Sequence, residues 1–513
     1  MAAIESRVFA AGMPVAALME KVAGLISRRV RELYPDPRTT FGILVGPGHN
    51  GGDALVVARE LHFRGYPVKL YAPFSSLKEL TAHHARYAAS LGIAQVALTD
   101  LADCDVLMDG LFGFGLTRPL AGDIAAAIDQ INTWQKPVLS IDLPSGLHTN
   151  TGAVLGTAVR ATRTFCLGLW KQAFLQDQGQ DWIGQAELID FDLPLADIVA
   201  VLGTPPELCR ITPQRAIAAL PLPRAVTTHK YREGHLLLVC GSRQYAGAAL
   251  LAAQAARASG VGMLSIAVPE SLRMMVVAQV PDALVWGCGE TESGAIAQLP
   301  ADLKLADYTA IACGCGLTRE PGALVKQLLD TPAPLLLDAD ALNILATLDP
   351  IARLRQRSAP TVLTPHPGEF RRLFPELIET SGMGEQGDSR SDPYGNRIET
   401  VRRAAQQSGA IVLLKGAKAA IGTPTHPAVW LNPDSTPALA RGGSGDVLSG
   451  LLGGLLAQAA RRNLPLEPIV AAATWWHAQA GRLAATAHSE LGADATTQIR
   501  YLPQVLRAID FGF

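Results

Sequence analysis

The chain has 513 residues, of which 49% are hydrophobic and 18% are charged, and its formal net charge is −2. This composition excludes a disordered chain, and the near-neutral charge gives no electrostatic basis for binding nucleic acid or an anionic membrane. The length exceeds what one hydrophobic core supports, so we expect about two to four domains. Small molecules are the expected partners.

Cysteine usage and hydropathy predict the compartment. The seven cysteines are scattered and lie mostly in apolar segments, which is typical of buried thiols in a reducing compartment. The N-terminal residues lack a signal-peptide pattern, and no apolar run of about 20 residues is free of glycine and charge. We therefore expect a soluble, cytoplasmic protein without a membrane segment.

The first part of the chain alternates helical and strand patterns, which predicts a largely parallel sheet. Apolar residues have helical spacing over 15–30, and strand-length apolar runs follow at 41–45, 68–71, 105–108 and 138–141. A glycine-rich loop is predicted at 46–54, between the first strand and the next helix. Its spacing is not the Gly-x-Gly-x-x-Gly fingerprint, so it does not predict ordinary NAD binding.

Polar residues follow three of these strands. Asn50 belongs to the glycine-rich segment, Asp109 precedes a second glycine-containing segment, and Asp142 precedes Leu-Pro-Ser-Gly. Each alone is explained as a turn or cap residue. Because the carboxyl ends of parallel strands meet at one edge of a sheet, the three together predict a binding site there.

These segments resemble the epimerase half of the NAD(P)H-hydrate repair enzymes. The resemblance implies a Rossmann-like three-layer α/β/α domain, with Asp142 as catalytic acid/base and a potassium ion held by Asn50, Asp109 and Ser145. The residues expected to contact the hydrate are Asn50, Gly51, Gly52, Asp53, Ala54, Gly113, Phe114, Gly115, Leu116, Thr117, Arg118, Pro119 and Asp142. Two positions depart from the family pattern: His49 replaces an Asn, and Ala54 replaces a Gly.

A proline-rich stretch, 193–223, follows and predicts a stiff connector. We place the domain boundary near residue 208, which gives domains 1–208 and 209–513. Strand-length apolar runs then recur at 236–240, 264–268, 310–312, 335–337, 361–363 and 411–414. The segment 241–249 then opens a small-residue helix that is predicted to run as far as Ser259-Gly260, either packed tightly on the sheet or leaving room for a flat ligand.

The ends of these later strands also carry candidate site residues. His366 lies between two prolines, in a rigid loop suited to ligand contact. Lys415 directly follows a strand and is placed to meet a phosphate group. Asp338 and Asp340 are either turn formers or part of a magnesium network. The polar segment 374–398 predicts a mobile surface loop that contributes to subunit contact, and Trp475-Trp476-His477 predicts packing.

The segment Gly442-Gly443-Ser444-Gly445-Asp446 precedes an apolar helix. Glycines and a helix N-terminus favour a bound phosphate. A carboxylate beside a phosphate is costly unless it takes a proton from a hydroxyl that is being phosphorylated. The alternative is a helix N-terminus capped by Ser444 or Asp446.

Residues 225–510 resemble the dehydratase half of the same family, which has a ribokinase-like α/β fold. The resemblance implies ADP as co-substrate with Mg²⁺, and Asp446 as catalytic base. The residues expected to contact the hydrate are Ala248, Gly316, His366 and Asp446. The residues expected to contact the nucleotide are Lys415, Gly416, Ala417, Lys418, Ala419 and Gly445. Ala419 stands where the family commonly has Thr.

The sequence thus predicts a bifunctional enzyme that epimerises hydrated NADH or NADPH and dehydrates the S epimer, releasing AMP and phosphate. We expect a homo-oligomer. The alternative is a ribokinase-like vitamin or sugar kinase fused to a non-catalytic binding module, since such kinases share the Gly-x-Gly-Asp element.

Overall fold

The computed structural model describes residues 1–379 and 396–507. It divides into two compact units between Pro206 and Glu207. Each unit is built on its own mainly parallel sheet, so the predicted α/β class is confirmed.

The first unit contains a wholly parallel sheet in the order β3-β2-β1-β4-β5-β6-β7. Its strands are β1 (Phe41–Val45), β2 (Val68–Tyr71), β3 (Ala94–Gln95), β4 (Val106–Gly110), β5 (Val138–Ile141), β6 (Arg163–Leu167) and β7 (Gln185–Ile189). Its helices are α1 (Ala2–Ala10), α2 (Val15–Leu33), α3 (His49–Phe63), α4 (Glu79–Ser90), α5 (Gly122–Thr133), α6 (Gln180–Ile183) and α7 (Leu195–Leu202).

Strand β1 is buried on both faces of this sheet. Ile43 packs in a core with residues of α2 and α3, whereas Leu44 packs with Ile128 of α5 in a second core. Successive strand residues point to opposite faces, so apolar residues in an unbroken run predict helices on both sides. The three-layer arrangement predicted for this domain is confirmed.

The glycine-rich loop predicted at 46–54 is shorter than expected, because helix α3 begins at His49. The glycines allow close packing rather than an extended loop. A Cβ at Gly51 would lie 1.9 Å from the carbonyl oxygen of Gly46. Close contact between the helix and the end of β1 therefore overrides the low helix propensity of glycine.

The second unit contains eleven described strands in the order β12-β11-β10-β9-β13-β14-β15-β16-β17-β18-β8. The strands are β8 (Leu208–Arg210), β9 (His235–Val239), β10 (Met263–Pro269), β11 (Leu284–Glu290), β12 (Ile296–Gln298), β13 (Ala310–Cys313), β14 (Leu335–Leu337), β15 (Thr361–Leu363), β16 (Ile411–Leu414), β17 (Ala420–Gly422) and β18 (Val429–Leu431). The stretch from β11 to β16 is parallel.

Helices of the second unit pack closely through small residues. The described helices are α8 (Pro213–Ala219), α9 (Ala246–Ala258), α10 (Arg273–Gln279), α11 (Gly322–Leu329), α12 (Ala339–Leu345), α13 (Pro350–Arg355), α14 (Pro367–Leu373), α15 (Pro375–Glu379), α16 (Arg397–Ser408), α17 (Ser444–Arg461), α18 (Leu466–His488) and α19 (Ala495–Arg507). A Cβ at Gly450 of α17 would lie 2.0 Å from the carbonyl oxygen of Ala252 in α9. The predicted small-residue helix therefore packs tightly.

The prediction of a stiff connector at 193–223 is wrong in part. It contains the helices α7 and α8, and strand β8 pairs with β18. Pro194 is the N-cap of α7 and Pro213 lies in the first turn of α8. Proline is tolerated there because the N–H groups of the first helical turn have no intrahelical partner.

Three further expectations concern the Trp-Trp-His segment of α18, the loop 374–398 and the cysteines. Trp475, Trp476 and His477 are all buried in α18, which confirms their predicted packing role. Of the predicted surface loop 374–398, residues 380–395 lie outside the described part of the chain. All seven cysteines are buried and free of disulfide bonds. Within residues 1–379 and 396–507, no helix is long and apolar enough to cross a membrane.

Candidate active sites

The first candidate site lies at the carboxyl ends of four adjacent strands, β1, β4, β5 and β6. They position Asn50, Asp109, Asp142 and Lys171 respectively. A Cβ added at Gly113 would lie 2.9 Å from Asp142 Oδ2 and 3.3 Å from Asn50 Oδ1. The structure therefore brings the three segments singled out in the sequence to one place.

Asp109 holds two of these segments together. Its buried carboxylate accepts hydrogen bonds from Ser140 Oγ at 2.9 Å and from Ser145 Oγ at 2.6 Å. The Ser145 amide also donates to it at 2.8 Å. Burial raises the pKa of Asp109, and the bonds from Ser145 oppose that shift. Ser145 Oγ in turn accepts from the amide of Phe112 at 2.8 Å, so this network fixes the geometry of the site.

Asp142 has a strained backbone and a buried ion pair. Its φ of 69° lies in the left-handed region, which non-glycine residues adopt at a cost and often at functional sites. Oδ2 accepts a hydrogen bond from the Phe114 amide at 3.0 Å. Oδ1 pairs with Lys171, and both side chains are at most 4% exposed. The carboxylate is thus held on both oxygens.

Sequence reasoning missed Lys171. Its Nζ also donates to the Leu167 carbonyl at 2.6 Å and lies 5.7 Å from the centroid of the Phe114 ring. Burial alone would lower the pKa of Lys171, but the charge and hydrogen bond of Asp142, together with the smaller effects of Cys166 and Glu5, raise it. This lysine follows the end of β6 at the same sheet edge, but the polar first residues of β6 give little strand signal in the sequence.

Two further carboxyl groups, those of Asp53 and Glu5, interact electrostatically with Asp142. Asp53, on α3, has its pKa raised well above the usual value by burial and then by the charges of Asp142 and Glu5. Glu5 comes from α1, and burial followed by the Asp142 charge raises its pKa. The site therefore has more carboxyl groups than ammonium groups.

The other predicted residues of this site differ in exposure. The exposed residues are Gly115, Thr117, Arg118 and Pro119. The partly buried residues are Gly113 and Phe114, and the buried residues are Gly51, Gly52 and Leu116. Ala54 is fully buried in the core, where a Cβ at Gly110 would lie 2.4 Å from its methyl group. The methyl that departs from the family pattern therefore packs against a glycine and not at the rim of the site.

The second candidate site lies where β9, β13, β14, β15 and β16, which are adjacent in the sheet, end. Lys415 follows β16, and its Nζ is 2.6 Å from Asp338 Oδ1. Asp338 follows β14, caps α12 and accepts a hydrogen bond from Ser449 of α17. Burial would lower the pKa of Lys415, but the charge of Asp338 raises it. Asp338 is thus both a cap and the partner of Lys415.

Asp446 lies in the first turn of α17, beside this ion pair. The N-cap is Gly443, with φ 91°, and no side chain caps the helix, so the capping role considered for Ser444 or Asp446 is wrong. Burial raises the pKa of Asp446 to about 6, and a hydrogen bond from Cys315 opposes the shift. A Cβ at Gly445 would lie 3.3 Å from Lys415 Nζ. Backbone N–H groups of this first turn, a lysine and a titratable carboxylate therefore converge.

His366 caps α14 together with Glu369. His366 Nδ1 accepts from the Gly368 amide at 2.9 Å, and Glu369 accepts from the His366 amide at 2.9 Å. His366 Nε2 lies 3.3 Å from Glu369 Oε1. Burial lowers the pKa of His366. Burial also raises the pKa of Glu369 to about 7, although the charge of Lys415 opposes this shift. Glu369 is therefore a titratable group beside His366, and it was not among the predicted site residues.

Two protein-family models match this chain. A family model described as NAD(P)H-hydrate dehydratase matches residues 236–504, and one described as YjeF-related protein N-terminus matches residues 15–173. The bifunctional NAD(P)H-hydrate repair enzyme Nnr of Thermosynechococcus vestitus is 51% identical over 99% of this chain and 96% of its own length. The chain belongs to the bifunctional NAD(P)H-hydrate repair enzymes.

Other members and a solved structure are also similar. The repair enzyme Nnr of Synechocystis sp. is 51% identical over 98% of this chain and 93% of its own length. A crystal structure of the ADP/ATP-dependent NAD(P)H-hydrate dehydratase from Bacillus subtilis, co-crystallised with ATP/Mg²⁺, is 30% identical, with a TM-score of 0.48. It covers 59% of this chain and 99% of that chain. Family membership sets aside the alternative of a vitamin or sugar kinase.

The remaining predicted residues of this repair enzyme's second site belong to segments that follow β9, β13 and β16. A Cβ at Gly316 would lie 2.9 Å from the Ala248 methyl and 2.7 Å from Tyr245 Cβ, so these segments are in contact. Gly416 and Ala417 are exposed, whereas Ala419 is 7% exposed. Lys418 Nζ donates to the Pro433 carbonyl at 2.5 Å.

Proposed function

We propose that the first unit interconverts the R and S epimers of NADH hydrate and NADPH hydrate at C6. The second unit dehydrates the S epimer back to NADH or NADPH, using ADP and releasing AMP and phosphate. One observation carries the proposal: a chain matched end to end by a bifunctional repair enzyme has a polar strand-end site in each of its two units.

Dehydration needs a better leaving group than hydroxide, and phosphorylation of the hydroxyl supplies one. Asp446 takes the proton of that hydroxyl as it attacks the terminal phosphate of ADP. The N–H groups at the start of α17 and the Lys415 ammonium stabilise the negative charge that develops on the phosphate oxygens. The carboxylate of Asp338 pairs with Lys415 and holds it in place. Ala248, Gly316 and His366 contact the hydrate, and residues 415–419 contact the nucleotide.

Epimerisation uses the Asp142 carboxylate as acid/base. Its left-handed backbone and its hydrogen bond from the Phe114 amide direct Oδ2 toward the position of Gly113. A hydrate bound along residues 50–54 and 113–119 would place its C6 hydroxyl near this oxygen. Proton transfer by a positioned carboxylate contributes about 10²–10⁴-fold to a rate.

We propose that Asn50, Asp109 and Ser145 hold a potassium ion in the first unit. The chemistry of the donor set fits, because amide, carboxylate and hydroxyl oxygens are hard ligands. The oxygen of Asn50 that would bind the ion, Oδ1, lies at the site, 3.3 Å from a Cβ built at Gly113. A bound cation would supply positive charge beside the buried Asp109 carboxylate.

Magnesium is proposed as a partner of the nucleotide and not as a resident ion. In the described part of the chain, no three His, Cys, Asp or Glu side chains converge to hold a metal. Mg²⁺ commonly binds through one or two carboxylates together with substrate phosphates. Asp338 and Asp446 are the carboxylates placed to do this. We further propose a cytoplasmic homo-oligomer, which light scattering and fractionation would measure.

The direct test is conversion of a mixed-epimer hydrate. Purified protein with ADP and Mg²⁺ should regenerate the absorbance of the reduced nicotinamide, and added K⁺ should accelerate the conversion of the R epimer. Replacement of ADP by ATP measures the nucleotide preference. Phosphorylation of a hydroxymethylpyrimidine or thiazole alcohol, with no action on the hydrate, would overturn the proposal.

A further inference from the structure

The nucleotide-binding segment proposed at 415–419 follows β16 and lies against a buried arginine. Arg397 is the first residue of α16, and it is 2% exposed. Its Nη2 donates to the Leu414 carbonyl at 3.2 Å and also to the Lys415 carbonyl. Arg397 has no part in the dehydration steps described so far, yet it holds the start of this segment from 18 positions earlier in the chain.

The packing of α16 fixes the position of Arg397. A Cβ at Gly422 of β17 would lie 2.5 Å from the Val401 carbonyl oxygen of this helix, so the helix and the strand are in close contact. The Asn396 side chain accepts a hydrogen bond from the Glu399 amide at 3.3 Å and caps the helix. The helix therefore presents Arg397 at one defined place beside the end of β16.

Gly416 allows the guanidinium group to pack against the segment. A Cβ at Gly416 would lie 2.5 Å from Arg397 Nη1 and 2.7 Å from its Cζ, so a larger residue would push the two apart. Gly416 and Ala417 are nevertheless exposed. One side of the segment therefore faces the buried arginine, and the other side is open to a ligand.

The two hydrogen bonds from Arg397 determine which way the peptide groups point. A trans peptide is planar, and its carbonyl and N–H groups point in opposite directions. The Leu414 carbonyl faces Arg397, so the N–H of the same peptide faces away, and it donates to the Pro365 carbonyl at 2.9 Å. By the same rule the Gly416 N–H points away from the arginine. A backbone N–H directed outward in this way is a donor suited to a phosphate oxygen.

We infer that Arg397 is a positioning residue for the nucleotide: it holds two successive carbonyl groups on its own side and so directs the Gly416 N–H toward a phosphate oxygen of ADP. The inference rests on the proposed nucleotide role of residues 415–419 and deepens it. Arg397 is buried, so it acts through the backbone and not by contact with the nucleotide. Lys415 is then fixed at both ends, its carbonyl by Arg397 and its ammonium by Asp338.

Steady-state kinetics of the full chain separate this role from a purely structural one. ADP is varied at saturating S epimer, and the S epimer is then varied at saturating ADP. Arg397→Met removes the donors at similar length, so KM for ADP should rise about tenfold or more. KM for the S epimer should not change, because its proposed contacts, Ala248, Gly316 and His366, belong to other segments. Arg397→Lys keeps a shorter donor and should give an intermediate KM for ADP.

Arg402→Met is the matched control. Arg402 lies on the same helix and donates to the Pro427 carbonyl at 2.8 Å, outside the nucleotide segment, so its loss should leave KM for ADP unchanged. Calorimetric titration with ADP and Mg²⁺ makes the same comparison without turnover. Wild-type affinity for ADP in Arg397→Met, an equal rise of both KM values, or an equal rise in Arg402→Met would overturn the inference. If circular dichroism shows that Arg397→Met does not fold, an unchanged KM for ADP in Arg397→Lys would overturn it.

Gly416→Ala tests the same contact from the side of the segment. In the wild-type background the added methyl meets the guanidinium group, so KM for ADP should rise. In an Arg397→Ala background the same change should have a smaller effect, because the space is then vacant. Effects that simply multiply would contradict the contact. A wild-type chain without nucleotide-dependent dehydration would instead overturn the proposed function itself.

Discussion

Dehydration requires an ionised Asp446, so its rate should fall in acid. Burial raises the pKa of this carboxyl to about 6. A carboxyl with a pKa of about 6 is ionised in about nine-tenths of molecules at pH 7 and in about one-tenth at pH 5. We therefore expect kcat for dehydration of the purified S epimer to fall about tenfold between these values. The regain of absorbance of the reduced nicotinamide measures it, and circular dichroism at both pH values checks that the fold persists.

Removal of the Cys315 thiol provides a second test of the role of Asp446. Its hydrogen bond opposes the upward shift of the Asp446 pKa, so Cys315→Ala should raise that pKa and move the acid limb of the rate to higher pH. Cys209→Ala is the matched control, because Cys209 is also buried but lies on the edge strand β8. A rate that is unchanged between pH 5 and pH 7, or a limb that moves to lower pH in Cys315→Ala, would refute the role of Asp446.

Three other substitutions test the geometry. Gly113→Ala places a methyl group 2.9 Å from Asp142 Oδ2, so epimerisation should fall at least about tenfold while dehydration in the same sample persists. Gly314→Ala requires φ 133° and places a Cβ 1.8 Å from the Asp338 carbonyl oxygen; thermal unfolding of the second unit should move to markedly lower temperature. Lys415→Met leaves the buried Asp338 carboxylate unpaired, which should cost about 3–5 kcal/mol in urea unfolding and abolish dehydration.

Much of both sites could be predicted because short apolar runs mark strands, and polar residues after them share one sheet edge. Asn50, Asp142 and His366 were found in this way, and the predicted fold class and family are confirmed. The start of α3 at His49 was missed because consecutive glycines are typical of loops. Close packing of Gly51 on Gly46 favours the helix there, and no local pattern shows that contact.

The partners of the catalytic groups could not be predicted, since they come from distant parts of the chain. Lys171 follows β6, whose first residues are polar and give little strand signal. Glu5 reaches the first site from α1. The sequence pattern does not distinguish a turn from a magnesium role for Asp338, because its partner, Lys415, lies 77 positions away. Such pairings depend on how the sheet orders its strands, which the sequence pattern leaves open.

The central claim is that two separate sites in one chain complete the repair. The most direct measurement follows NADH recovery from a mixed-epimer hydrate with ADP in the wild-type protein, Asp142→Asn and Asp446→Asn, with both epimers quantified by chromatography. We predict complete recovery in the wild type, recovery of the S fraction with only slow further conversion in Asp142→Asn, and epimer exchange without recovery in Asp446→Asn. Wild-type recovery that stops at the S fraction, or loss of both activities in either variant, would contradict it.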